Sequence, residues 1–209
     1  MVAEVLELFG RELWSPFKSS LRHDHWNTTR WLLDIILRFW PEGIDVDPCS
    51  NDNSVVPARV RYDGSAPQLD GLKQSWRGET PPGRDARSFA NPPYSDVKPW
   101  YVKAATEALG RDEQRCEVLL LVNVTTSTEA FNKYRPRMPA TSFDDELELC
   151  RRGAAALPRS SAVGFFNSRI SFLDAGVPVK GNAYEQMILY WGRRVAEFRH
   201  HFEEVAWCP

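Results

Sequence analysis

Four cysteines are all this chain has in 209 residues: Cys49, Cys116, Cys150 and Cys208. They are widely scattered with no Cys-x-x-Cys pair, so neither a disulfide framework nor a zinc cluster is expected and reduced thiols are the default. Long apolar runs are missing too. Nowhere do eighteen apolar residues follow one another, which excludes an ordinary transmembrane helix. The first twenty residues interleave apolar positions with Glu4, Glu7, Arg11 and Glu12, a pattern without the apolar core of a secretory signal. Charge of one sign is scarce: the formal net charge is −2. Composition therefore does not advertise nucleic-acid binding, although a basic face depends on distribution rather than on the net figure. Repeats and low-complexity tracts are absent. A soluble, cytoplasmic protein with no membrane partner is expected.

What is present fits one compact domain over 1–209, long enough to bury a central sheet with helices on both faces. Residues 1–27 show no clear period and read as a variable lead-in. From Thr28 a helix is legible: Leu32, Ile35, Ile36, Phe39 and Trp40 fall on one face. Asn27 or Thr28 can cap its start, and Pro41 with Gly43 stops it. Ile44-Asp45-Val46-Asp47 alternates as a short strand. Residues 51–85 look loop-rich, with a strand expected at 59–63. A strand at 87–90 and a helix over 95–109 follow; Pro99 is acceptable there only in the first turn, and Gly110 suits the far end. The unbroken run Val118-Leu119-Leu120-Leu121-Val122 reads as a central parallel strand buried on both faces. Residues 125–162 look irregular and carry Arg135, Arg137, Arg151, Arg152 and Arg159. Strands are expected at 163–166, 169–173 and 184–191, the last two joined by a turn over 176–182. The pattern implies a three-layer α/β domain, mostly parallel, with an antiparallel C-terminal hairpin.

In open α/β sheets ligands bind at the carboxyl ends of the strands. Two motifs fall there, Asp47-Pro48-Cys49 and Asn91-Pro92-Pro93-Tyr94, each directly after an expected strand. Asn-Pro and Pro-Pro also punctuate ordinary turns. The strand before, the aromatic in fourth place and the helix after give this tetrapeptide a chemical reading. An aromatic exocyclic amine is a poor nucleophile because its lone pair is delocalised into the ring. The Asn91 side-chain carbonyl and the Pro92 main-chain carbonyl can accept its two hydrogens, and the prolines hold those acceptors fixed. Tyr94 offers a ring face for an extruded base.

The sequence also resembles the phage-type DNA N6-adenine methyltransferases (Dam). The resemblance rests on Trp26-Asn27-Thr28-Thr29, Ile44-Asp45-Val46-Asp47-Pro48-Cys49-Ser50, Asp70-Gly71-Leu72-Lys73-Gln74-Ser75-Trp76, Phe89-Ala90-Asn91-Pro92-Pro93-Tyr94-Ser95 and Trp100, covering most of 24–191. It implies a Rossmann-like class I methyltransferase sheet, S-adenosylmethionine as cofactor, DNA as partner and a bacterial or phage-infected cell as setting. Direct in-line transfer to a flipped adenine held by Asn91 to Tyr94 follows from it.

On that resemblance the cofactor-binding residues are Thr28, Asp47, Pro48, Cys49, Asn53 and Asp70. Asp47 can orient the methionine ammonium through a charge-assisted contact. The loop it opens, Asp47 to Asn53, contains no glycine, whereas the familiar methyltransferase loop is glycine-rich. Asp70 matches the position expected near the adenine ring, and Asp63 is the lesser candidate for the ribose. Thr29 stands where proline usually follows the threonine. His23-Asp24-His25 and His200-His201 lack zinc spacing with a third ligand, so no metal is expected. The arginine-bearing segment 125–162 is the candidate DNA-contacting insertion, with Asp144, Asp145, Glu146 and Glu148 interspersed. Cytosine N4, adenine in RNA or a protein amide are the alternative substrates of the same loop. A catalytically retired DNA-binding or regulatory module of the same fold is the alternative outside enzymes.

Overall fold

The computed structural model describes residues 24–78, 80–81, 83–110, 115–137, 141–179 and 182–209. Most of the lead-in expected over 1–27, His23 included, lies outside the described residues. The first helix, α1 (Arg30–Phe39), buries Leu32, Leu33, Ile35, Ile36 and Phe39, the face that the periodicity marked. Its N-cap falls on Thr29 without a side-chain cap bond, so Asn27 and Thr28 are not spent on capping. Strand β1 (Ile44–Asp47) follows and is buried at all four positions. The alternation of Asp45 and Asp47 therefore does not reflect an exposed face. Asp45 is compensated by a bidentate pair from Arg84, at 2.6 and 2.8 Å, and by the Arg87 N–H at 2.9 Å.

The chain continues through β2 (Ala58–Arg61), β3 (Ala86–Ala90), α2 (Lys98–Leu109) and β4 (Cys116–Asn123). Pro99 sits in the first turn of α2 and Gly110 closes it at φ 70°, a left-handed position that favours glycine. Next come α3 (Glu129–Tyr134), α4 (Phe143–Arg151), β5 (Ala162–Phe166), the short strands β6 (Leu173–Asp174) and β7 (Val177–Pro178), β8 (Gln186–Trp191), α5 (Val195–Phe202) and β9 (Ala206–Trp207). The seven-stranded sheet runs β2-β1-β3-β4-β8-β5-β9. Strands β1 to β4 pair in parallel, whereas β8 is antiparallel to both β4 and β5, and β9 to β5. Five strands thus point one way.

Two cores make the three layers. Along β4, Val118, Leu120 and Val122 join Trp100, Tyr101 and Ala104 of α2 on one face. Leu119 and Leu121 join Ile36 and Phe39 of α1 and Phe198 and Phe202 of α5 on the other. That is why β4 reads as an unbroken apolar run.

Three expectations change. The C-terminal strand does not form an edge hairpin: β8 is inserted between β4 and β5, where its two buried faces are covered. Residues 169–172 are not strand, and the hairpin that does form there, β6–β7, turns at Ala175-Gly176, both at positive φ, as a separate two-stranded sheet. Segment 125–162 is not irregular either. It holds α3 and α4, and α4 opens on a capping box between Ser142 and Asp145.

Candidate functional site

The chain leaves β1 toward β2 on one side, while β3 lies on the other side of β1. The loops after β1 and β3 consequently diverge, and a crevice opens between them at the carboxyl ends, the switch point where such sheets bind ligands. A narrow polar cleft of about 270 Å³, its open mouth included, occupies this place. Its walls are Asp24, Trp26, Asn27, Thr28, Asp47, Cys49, Asn51, Ser54, Val56 and Asn91. Between them there is room for about one water molecule.

Asp47 ends β1 almost fully buried. Its carboxylate accepts from the Cys49 N–H at 3.2 Å and the Ser54 hydroxyl at 3.1 Å. Burial nevertheless dominates those two bonds and pushes its pKa up to about 6. Such a carboxylate is improved by any cation that enters beside it. Burial also pushes the Cys49 thiol far up, with Asp47 adding to the effect, so Cys49 contributes a neutral wall.

Pro48 is tied to a distant segment. An added Cβ on Gly71 would stand 1.8 Å from the Pro48 carbonyl oxygen, so only glycine permits this approach. The Trp76 indole donates to the Gly71 carbonyl at 2.7 Å, and Trp100 packs on Trp76 with ring centroids 6.2 Å apart. Gly71 thus packs a distant segment directly against the loop 47–53. Beside it, Asp70 accepts from the Leu72 N–H at 3.0 Å and pairs with Lys73 at 2.9 Å, and the Lys73 hydrogen bond leads in holding its carboxyl low. Asp70 lies next to the cleft-forming loop without lining the cleft.

Asn91 directly follows β3, and its carboxamide is bonded at both ends. The nitrogen donates to the Thr28 hydroxyl oxygen at 3.2 Å and to the Trp26 carbonyl at 3.4 Å. The oxygen accepts from the Tyr94 hydroxyl at 2.9 Å. Burial raises the Tyr94 pKa far above its ordinary value, which keeps that hydroxyl a donor. The Tyr94 ring meets Phe172 edge-on at 5.9 Å, and Phe172 in turn stacks on Trp26 at 6.0 Å. The Asp24 carboxylate accepts from the Ser95 N–H at 3.1 Å. Residues 24–28 therefore form a strap across the Asn91–Ser95 loop.

The structure brings Thr28, Asp47, Cys49 and Asn91 into one cleft, with Pro48 and Asp70 directly behind the loop and Tyr94 beside Asn91. Asn53 is not brought in: it is solvent-exposed, and Asn51 and Ser54 line the wall instead. Asp63 is a fully exposed turn residue whose carboxylate accepts from the Ser65 N–H at 2.9 Å. Sequence reasoning missed Asp24, Ser54 and Phe172. Asp24 stood in view between two histidines, while Ser54 and Phe172 carried no local signal.

A family model described as DNA N-6-adenine-methyltransferase (Dam) matches residues 17–202. The chain belongs to this family. No curated protein and no solved structure matches the chain. This Dam-family chain has no helix, among its described residues, that is long and apolar enough to cross a membrane.

Segment 125–162, the candidate DNA-contacting insertion, leaves β4 at the carboxyl ends of the strands. Helix α4 instead binds the opposite end of the sheet: Asp144 pairs with Arg193 at 2.9 Å, just past the end of β8. Arg137 pairs with Glu146 of that helix, and the Arg159 N–H donates to the same carboxylate. Arg152 is bound to Glu148 at 2.7 Å. Arg137 and Arg159 are thereby tied to α4, toward the end of the sheet opposite the cleft. Residues 125–128, at the start of the segment, remain beside the carboxyl ends.

Proposed function

We propose that the cleft is the shared site of a DNA adenine N6-methyltransferase. S-adenosylmethionine lies against Thr28, Asp47, Pro48, Cys49 and Asp70, and a flipped adenine lies against Asn91, Pro92, Pro93 and Tyr94. The observation that carries this reading is the meeting of Asp47 and Asn91 in one cleft at the switch point, within a chain of the Dam family. The open sheet with five strands in one direction supports the Rossmann-like class I assignment.

The donor set suits the cofactor. Asp47 is a buried carboxylate that gains from a neighbouring ammonium, and Asn51 and Ser54 add polar partners. When bound, S-adenosylmethionine supplies a methyl group on a sulfonium, in line with the amine. Asn91 Oδ1 and the Pro92 carbonyl accept the amine hydrogens and favour a pyramidal nitrogen whose lone pair is exposed. The N–C bond would form as the sulfonium S–C bond breaks, leaving the neutral thioether S-adenosylhomocysteine, and the methylated amine would release one proton to solvent, which needs no strong base. Tyr94 turns its hydroxyl off Asn91 as the base arrives and presents its ring.

Asn91→Ala tests the assignment: turnover on adenine-containing DNA should vanish while cofactor affinity stays close to that of the parent protein. Equal loss of both would put Asn91 in the cofactor site instead. One observation favours a second reading, a retired methyltransferase fold: the cleft admits little more than a water molecule. Calorimetry with S-adenosylmethionine separates the two, since failure to bind at millimolar concentration supports retirement.

A further inference from the structure

We infer that Thr28 is a positioning residue for Asn91, which together with the Trp26 carbonyl holds the carboxamide with its oxygen toward the base; this rests on the reading that Asn91 accepts the target amine. A carboxamide has two ends of similar outline and opposite chemistry, an acceptor oxygen and a donor NH2. Were the group turned over, an NH2 would meet the NH2 of the base, donor against donor. Its orientation is therefore a catalytic requirement, and rotation about the terminal torsion is intrinsically easy.

Two contacts set it. The Trp26 main-chain carbonyl, 3.4 Å from Asn91 Nδ2, can only accept, so it identifies the nitrogen end. That bond is long. The Thr28 hydroxyl, at 3.2 Å, takes the second amide hydrogen. With both hydrogens engaged, only the oxygen is left for substrate, and in the free protein the Tyr94 hydroxyl holds that place at 2.9 Å.

Thr28 is built for this task. It is 2 % exposed, and its backbone is pinned on both sides. Asn27 exchanges both main-chain hydrogen bonds with Leu173, at 2.7 and 2.8 Å, and the Thr29 carbonyl accepts the first bond of α1, from the Leu33 N–H, at 3.2 Å. The hydroxyl is thus carried between a strand bridge and a helix start. Capping, the usual duty of a threonine before a helix, is not performed by it.

The test compares Thr28→Val, which keeps the shape and removes the hydroxyl, with Thr28→Ser, which keeps the hydroxyl. Single-turnover methylation of adenine-containing DNA and calorimetric cofactor affinity are measured on the full chain. At saturating cofactor, Thr28→Val should lose about 10- to 100-fold in single-turnover rate, as expected for a misdirected catalytic group. Thr28→Ser should recover most of the rate. Thr28→Ala, which removes the hydroxyl and the γ-methyl together, carries the same expectation as valine. In the free protein, the side-chain amide hydrogens of Asn91 should exchange faster in Thr28→Val, by NMR. Weakened cofactor binding at full rate, a serine variant as impaired as valine, or unchanged Asn91 amide exchange would each overturn the assignment. A wild-type protein that binds cofactor yet methylates no adenine would overturn the underlying reading instead.

Discussion

Asp47→Asn should make the protein more stable and, on the proposed reading, unable to hold its cofactor. Burial raises the Asp47 carboxyl from its ordinary 3.8 to about 6. Between those values the folded protein keeps a proton that the unfolded chain has released, so stability falls as pH rises, and above about 6 the penalty is complete. About two pH units at 1.36 kcal/mol each sets a ceiling of roughly 3 kcal/mol. Asparagine removes the charge but loses one of the two acceptor bonds, to Cys49 or Ser54, at a cost of about 1 kcal/mol. The net gain at pH 7.5 is about 2 kcal/mol, or about 4–8 °C in melting temperature for a chain of this size. At pH 4.5 the penalty in the parent shrinks to about 1 kcal/mol, so the two proteins should melt together. Thermal melts at both pH values, with and without S-adenosylmethionine, read all of this. Parent affinity for the cofactor should fall as pH drops through about 6, and the variant should show little affinity at either pH. A variant no more stable than its parent at pH 7.5, or one stabilised equally by cofactor, would refute the reasoning.

Gly71→Ala should destabilise the fold by about 1–3 kcal/mol, because its Cβ would stand 1.8 Å from the Pro48 carbonyl. Cofactor affinity should fall with it as the loop 47–53 is pushed outward, and a melt with a binding isotherm checks both; parent-like values would mean that the approach is not required. Tyr94→Phe removes the hydroxyl that occupies Asn91 Oδ1 while keeping the ring, so the apparent KM for DNA should hold or improve. Tyr94→Ala should lose about 1–3 kcal/mol of base stacking and raise that KM strongly. Steady-state methylation assays separate these outcomes, and a phenylalanine variant as defective as alanine would assign the hydroxyl a direct catalytic part.

Local patterns carried much of this architecture. The face of α1, the buried run of β4 and the strands entering both loops follow from periodicity, which is set by residues three, four or two apart. The insertion of β8 between β4 and β5 follows from pairings such as Leu120 with Leu189, which no local pattern encodes. The same limit explains the site. Asp47 and Asn91 were legible because each closes its own strand, and Thr28 because it belongs to a motif. Gly71 is legible only as a member of the Asp70–Trp76 motif, since its meaning lies in the Pro48 carbonyl of another segment. Asn53 was placed by analogy on a loop that instead turns Asn51 and Ser54 inward. Segment 125–162 reads as a candidate DNA-contacting insertion with acids among its arginines, and which of them pair, Arg137 with Glu146 and Arg152 with Glu148, follows only once α4 forms.

The central claim is a transfer of methyl to adenine N6 in DNA at Asn91. The most direct test incubates the purified protein with labelled S-adenosylmethionine and DNA, digests the product to nucleosides and separates them by mass spectrometry. Label should appear in N6-methyldeoxyadenosine with the parent protein and be absent with Asn91→Ala. Label in N4-methyldeoxycytidine, or none in DNA from a protein that demonstrably binds the cofactor, would contradict the account.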